Sequence, residues 1–253
     1  MELLEKWKRE DLINHIDEFD KLYENRPIKD NHGGMNSSHM LSCWFIIKKL
    51  KPKVLIESGV WKGLGTWFFE KASPNTQIIS IDPATHMRIY TSPAVTYQTE
   101  DFLQTDWSHL PKGDTLVFFD DHQNCIPRLK KCLELGFKRV IVEDNYPPSQ
   151  GDCYSPKKVL SNQDYVIDSN GQRIFLQKDD NDLAFFKEHV EIYQEMPPIF
   201  SSSVTRWGDI WNEENYPTPL SLLPDNRKDR YETFYSEKLD YTWICYIELR
   251  KAI

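Results

Sequence analysis

The sequence predicts a doubly wound α/β fold, and three observations carry that prediction. Short apolar runs recur between residues 53 and 143, among them KVLIES, QIISID, TLVFF and RVIVE. Helix-length segments separate several of them. The runs are apolar throughout rather than alternating, which is the mark of strands buried on both faces of a mostly parallel sheet. Right-handed crossovers then place helices on both faces.

The elements are read in order. Residues 1 to about 24 form a polar helix with Leu12, Ile13, Ile16 and Phe19 on one side. Residues 25–38 hold Pro27, Gly33 and Gly34 and form a loop. Ser37 or Ser38 caps a buried helix that ends near Leu50. Strands follow at 53–58, 77–82, 95–99, 115–119 and 139–143, with helices at 63–72 and 126–135. A helix over 182–194 and a strand over 241–249 close the pattern. Between them, 197–235 is an aromatic, proline-bearing stretch without a clear period. The expected organisation is an N-terminal helical extension over 1–50 and an α/β domain over 51–253 with an insertion around 197–235.

Composition narrows the function. The 253 residues carry a formal charge of −8, which speaks against nucleic-acid binding, because phosphate contacts need a basic face. No apolar run reaches transmembrane length, so no membrane partner is expected. The start, MELLEKWKREDL, is charged and has no apolar signal core. The five cysteines are irregularly spaced without a CxxC, which fits reduced thiols and a cytoplasmic location. Aromatics make up 13% of the chain, enough for a large core and a pocket for a ring or a sugar.

Two segments carry chemistry. The first strand runs into Glu57-Ser58-Gly59-Val60-Trp61-Lys62-Gly63-Leu64-Gly65, with glycines spaced GxxxGxG. Such a loop lets a ligand approach the backbone and opens onto a helix N-terminus. A dinucleotide fingerprint would read GxGxxG, so a nicotinamide dehydrogenase is a poor fit. Asp82, at the end of the second strand, can accept hydrogen bonds from ribose hydroxyls. The second segment is acidic: Asp120-Asp121-His122 follows the fourth strand and Glu143-Asp144-Asn145 the fifth. Neighbouring parallel strands bring these acids to one edge, where they repel unless a cation neutralises them. Oxygen ligands of this kind suit Mg²⁺ or Mn²⁺.

The EsGvwkGlG segment with Asp82 resembles motif I of the class I S-adenosylmethionine-dependent methyltransferases. The resemblance covers about residues 50–145 and the final strand. It implies a Rossmann-like methyltransferase fold with a seven-stranded, mostly parallel sheet. It also implies S-adenosylmethionine as cofactor, held by Glu57, Gly59, Gly63, Gly65, Asp82 and Asp101. The acidic segments are similar to those of metal-dependent O-methyltransferases of the catechol and caffeoyl-CoA type, which implies Asp120, Asp144 and Asn145 as ligands of Mg or Mn. They are also similar to the cephalosporin-hydroxylase-like and macrolide-sugar O-methyltransferase group, whose register recruits Glu143 and Asp121 with Asp144.

The chain departs from the catechol type by the extra acid before His122 and by the lack of a lysine base at the expected place. The expected catalytic residues are therefore His122, as base, with Asp120 and Asp144. His39, Tyr146 and Tyr154 are the candidates for contact with substrate. The expected reaction is O-methylation of a small acceptor, a sugar or glycan before a catechol-like phenol, with a homodimer left open. The rival readings are a hydroxylase of the cephalosporin type on the same scaffold and a non-catalytic binding protein.

Overall fold

The computed structural model describes residues 4–161, 165–167, 170, 172–175 and 180–250. In chain order the elements are α1 (Arg9–Ile13), α2 (Ile16–Glu24), α3 (Ser37–Leu50), β1 (Val54–Ser58), α4 (Leu64–Ala72), β2 (Gln77–Ile81), β3 (Val95–Gln98), β4 (Thr115–Phe119), α5 (Cys125–Leu135) and β5 (Arg139–Val142). They continue with α6 (Pro156–Leu160), β6 (Tyr165–Ile167), β7 (Arg173–Phe175), α7 (Asp180–His189), β8 (Val190–Glu195), α8 (Glu232–Ser236) and β9 (Cys245–Leu249).

Seven strands form one sheet in the order β3-β2-β1-β4-β5-β9-β8. β1 pairs in parallel with β2 and β4, and β9 runs antiparallel between β5 and β8. The expected doubly wound fold with a mostly parallel seven-stranded sheet is therefore the observed one. Every residue of β1 and β4 is buried, as strands covered on both faces must be. One face carries α2, α3 and α4, whose Phe19, Trp44 and Phe68 join Leu55 and Phe118 of the sheet. The other carries α5, α6 and α7, whose Leu129, Val159 and Phe186 join Ile56 and Val117. Among the described residues, no helix is long and apolar enough to cross a membrane.

Three expectations need correction. The helix expected over 1–24 is broken at residues 14 and 15, and residues 1–3 of that stretch lie outside the described residues. The His15 ring meets the carbonyl of Asp11 at 2.7 Å, and that carbonyl is the one a continuous helix would give to the residue 15 amide. The amide bonds to Leu12 instead. The helix expected over 182–194 ends at His189, and Val190–Glu195 forms an edge strand. A register shift between Val190 and Ile192 lets the run VEIYQE bury both Val190 and Tyr193, and β9 offers it a hydrogen-bonding partner. Finally, the N-cap position of α3 falls to Asn36, one residue before the expected serines, and its side chain makes no capping bond.

The aromatic stretch after 197 packs onto the α2/α3 side. Ile199, Phe200, Leu222, Leu223, Tyr231 and Phe234 are buried in the same core as α2 and α3. Glu237 ties the pieces together, accepting from the Tyr23 hydroxyl and the Ser37 amide.

The register sets up the site. Ser58 lies beside Ile81 on one side and Phe119 on the other, and Phe119 lies beside Val142. Gly59, Asp82, Asp120 and Glu143 therefore leave the sheet at one carboxyl edge, where open α/β folds bind their ligands.

The helix after the acidic segment tests the local reading. Asn124 caps α5 by accepting the Ile126 amide at 2.9 Å. Asn124→Ala should cost about 1 kcal/mol in denaturant unfolding, and Asn124→Asp should be near neutral.

Candidate functional site

The glycine loop is shaped first by its neighbours. Gly59 has φ +96°, and a Cβ there would lie 1.9 Å from the Asp120 carbonyl oxygen. Only glycine lets the ends of β1 and β4 approach so closely. Gly63 has φ +89° and begins α4 against the Tyr90 carbonyl. Gly65 lies over Glu57, with its Cβ position 3.0 Å from Oε1.

Glu57 is fully buried. Its Oε2 accepts from the Thr66 hydroxyl at 2.7 Å and the Ser80 hydroxyl at 2.5 Å, while Oε1 has no partner. Burial pushes its carboxyl up to about 7. Asp82 holds the loop: Oδ2 accepts the Val60 and Trp61 amides at 2.9 Å each, and Oδ1 accepts the Ala84 amide at 2.7 Å. Trp61, at φ +50°, donates its indole N–H to the His32 carbonyl, and Gly33 and Gly34 lie against its ring.

A cavity of about 530 Å³ opens in front of this loop, within the range of small-molecule sites. Gly59, Asp82 and Asp101 line it. Gly63 and Gly65 shape the turn and its helix, and Glu57 is enclosed beneath Gly65. Arg128 also lines it and was not singled out from the sequence. It joins Asp101 to Asp121 at 2.8 Å each, and Asp121 also accepts from Ser58 at 2.6 Å. The signal was an arginine on the buried side of α5, two turns past the acid pair.

The acids do meet at the edge. Glu143 lies in hydrogen-bonding reach of both Asp120 and Asp144. Burial pushes Asp120 and Glu143 well above the usual carboxylate range, and the neighbouring acids push them further. His122, at φ +54°, donates its amide to Asp144 Oδ2 at 3.1 Å. Its ring Nδ1 lies 2.9 Å from Asp152 and 3.7 Å from Asp144 Oδ1. The hydrogen bond to Asp152 and the charge of Asp144 hold the imidazolium up to about 10. With those partners alone, His122 is protonated at neutral pH and has no lone pair to act as a base.

Asp120, His122 and Asp144 each offer one donor atom, all within 4.8 Å of one another. Asp144 Oδ1 is buried without a partner. Asn145, expected as the third ligand, is not brought to this group. Its Oδ1 accepts the Lys157 amide and its Nδ2 donates to the Tyr193 hydroxyl, both at 3.0 Å. The Asn145 amide bonds back to the Glu143 carbonyl at 2.8 Å, a three-residue turn centred on Asp144, and the two side chains leave it toward different partners, Asp144 toward the acids and Asn145 toward Lys157 and Tyr193.

A second cavity, small and polar, adjoins the first. Both are lined by Gly33, Gly34, Asp120 and His122. His39 and Tyr146 line the second, whereas Tyr154 lines neither and sits half-buried beside α5. His39 is buried, stacks on Tyr241 at 5.2 Å and is pushed down to about 3 by burial. Tyr146 packs under Gly151 and against Trp207.

No protein-family model and no curated protein matches this chain. Among solved structures it is similar to CmcI with Mg and SAM, at 18% identity and TM-score 0.38, over 47% of this chain and 58% of that one. It is also similar to the SAH-bound methyltransferase PaMTH1 of Podospora anserina, at 10% identity and TM-score 0.44, over 94% and 88%. Cofactor-bound Rv0187 from MTB gives 10% identity and TM-score 0.47, over 95% and 90%. The chain thus spans less than two thirds of the CmcI length, and at these identities and TM-scores no residue role carries over.

Glu57 makes stability depend on pH with a definite sign. Its folded pKa of about 7 lies above the ordinary 4.5, so the native state binds the extra proton between them. Its contribution is complete below about pH 4.5 and is lost as pH rises through 7. Glu57→Gln should remove a loss of about 3 kcal/mol between pH 5 and pH 8. Urea unfolding of both proteins at the two pH values checks this; equal pH dependence refutes it.

Proposed function

We propose that the chain is an S-adenosylmethionine-dependent O-methyltransferase, assisted by a divalent cation, acting on a hydroxyl of a small sugar-like acceptor. The observation that carries the reading is the place of Asp120 and His122 on the wall shared by two cavities. The large one suits the cofactor and the small polar one suits part of an acceptor. The motif resemblance names the cofactor, and the half-exposed Trp207 against Tyr146 gives a sugar face an aromatic platform.

The donor set fits a cation. Two carboxylates and an imidazole converge, one carboxylate oxygen is buried without a partner, and the surrounding acids are otherwise forced to keep protons. Asp120, His122 and Asp144 would hold Mg²⁺ or Mn²⁺, with Glu143 beside them. When bound, the cofactor supplies an electrophilic methyl group and the cation favours the ionised form of the acceptor hydroxyl. The chain's own part is alignment and exclusion of water. Asp82 and Asp101 line the cavity and would offer carboxylate oxygens to ribose and adenine donors. Glu57 Oε1, enclosed under Gly65, is a spare acceptor for the methionine ammonium. Asp152 holds the His122 ring through Nδ1, and a cation on that nitrogen would require the neutral imidazole and would replace the Asp152 bond.

Calorimetry with S-adenosylhomocysteine, in Mg²⁺, in Mn²⁺ and in chelator, tests the reading. The wild type should bind, and Asp82→Asn should weaken binding about tenfold, the weight of one charged hydrogen bond. Asp144→Asn should abolish metal-stimulated transfer and leave chelator-state cofactor affinity nearly unchanged. No cofactor binding in any condition would remove the methyltransferase reading, and full activity in chelator would remove the cation.

A further inference from the structure

The small cavity has two sides of different chemistry. On one side stand Asp120, Glu143 and His122. On the other stand Arg206 and Asp240, and His39 touches the first group through Nε2, 3.5 Å from Glu143 Oε1; Arg206 and His39 each have hydrogen-bond donors to spare. Thr242 donates its backbone N–H to His39 Nε2 at 3.0 Å. An amide N–H only donates, so Nε2 is the unprotonated nitrogen and the proton of the neutral ring sits on Nδ1. That Nδ1–H belongs to a buried residue lining the cavity and has no partner. Such an orphan costs free energy until an acceptor arrives.

Arg206 comes from a distant part of the chain. A bridge between Val204 and Ile210 closes a tight hairpin, which brings Arg206 to the cavity. Its guanidinium packs over the Trp207 ring and makes no hydrogen bond or ion pair with a described residue. Asp240 also lines the cavity, faces the Arg206 charge without a hydrogen bond to it, and is hydrogen-bonded by the Asn36 side chain. Size limits the occupant. The cavity measures about 30 Å³, and a single water needs about 10–15 Å³ of such space. It admits a group of two oxygens and no ring.

We infer that this cavity is a carboxylate subsite of the acceptor pocket, in which His39 Nδ1–H and the Arg206 guanidinium donate to the two oxygens of a hydroxy acid. The inference rests on the methyltransferase reading and narrows its acceptor. The hydroxyl of such a molecule lies toward Asp120 and Asp144, and its carboxylate lies on the far side. A small 2-hydroxy acid or an acid-bearing sugar has that polarity, and a neutral sugar lacks the anionic end.

Glycolate is the smallest probe of this class and glycolamide its neutral counterpart. Titration into the protein with S-adenosylhomocysteine and Mg²⁺ should show saturable glycolate binding, tighter than that of glycolamide. Arg206 is exposed, so Arg206→Gln should fold normally. It should weaken glycolate about tenfold, as the loss of a charge-assisted bond does, and leave glycolamide unchanged. The His39 Nδ1–H proton resonance should move downfield as glycolate saturates the wild type.

No saturable glycolate binding overturns the inference. So does equal glycolate affinity in wild type and Arg206→Gln, which would place the acid on the cation alone. Both results leave the methyltransferase reading standing if S-adenosylhomocysteine still binds. Failure of that cofactor to bind removes the methyltransferase reading, and the effect of Arg206→Gln on glycolate then decides the subsite by itself.

Discussion

Four acidic side chains leave the carboxyl edge of one sheet between Asp120 and Asp144, and the rest of the site answers the problem that this creates. Carboxylates gathered out of water cannot all stay ionised. The chain answers in three ways. Asp121 is paired with the Arg128 guanidinium and accepts a hydrogen bond from the Ser58 hydroxyl. Asp144 is met by the His122 amide and faces its ring. Asp120 and Glu143 hold their protons more tightly than ordinary carboxyls, through burial and through the charge of neighbouring acids. One side of the cluster is a structural ion pair, and the other is open to chemistry.

The backbone at this edge is as constrained as the charge. Gly59 fits only because it lacks a side chain beside the Asp120 carbonyl. Asp82 spends three hydrogen bonds on the loop and the turn after it. The loop is thus tied to β2 and β4 before any ligand arrives. Preorganisation of this kind reduces the ordering cost of binding.

The sheet was legible because strands buried on both faces have only one pattern to show, and β1 and β4 show it plainly. Their order in the sequence also placed Gly59, Asp82, Asp120 and Asp144 at one edge. What escaped the sequence depends on single side chains or on distant partners. The break before α2 comes from one ring competing for one carbonyl at His15. The strand β8 follows a helix without punctuation, and its pairing with β9 decides it. Asp144 and Asn145 read as a pair, yet the turn closed by the Asn145 amide on the Glu143 carbonyl sends their side chains to different partners. Arg128 and Arg206 gain their places only from folding, Arg128 by reaching Asp101, 27 residues away, and Arg206 by lining a cavity whose other walls come from distant segments.

Gly33 and Gly34 line both cavities and rest on the Trp61 indole, whose own backbone is held by Asp82. One short piece of main chain is therefore common ground for two ligands. Any shift that the first occupant imposes on it changes what the second one meets. Linkage then requires the effect to be mutual: the factor by which one ligand alters the other's affinity is returned in full. In a fold that sets two cavities on one glycine pair, ligands that moved that pair would be coupled without a separate regulatory site.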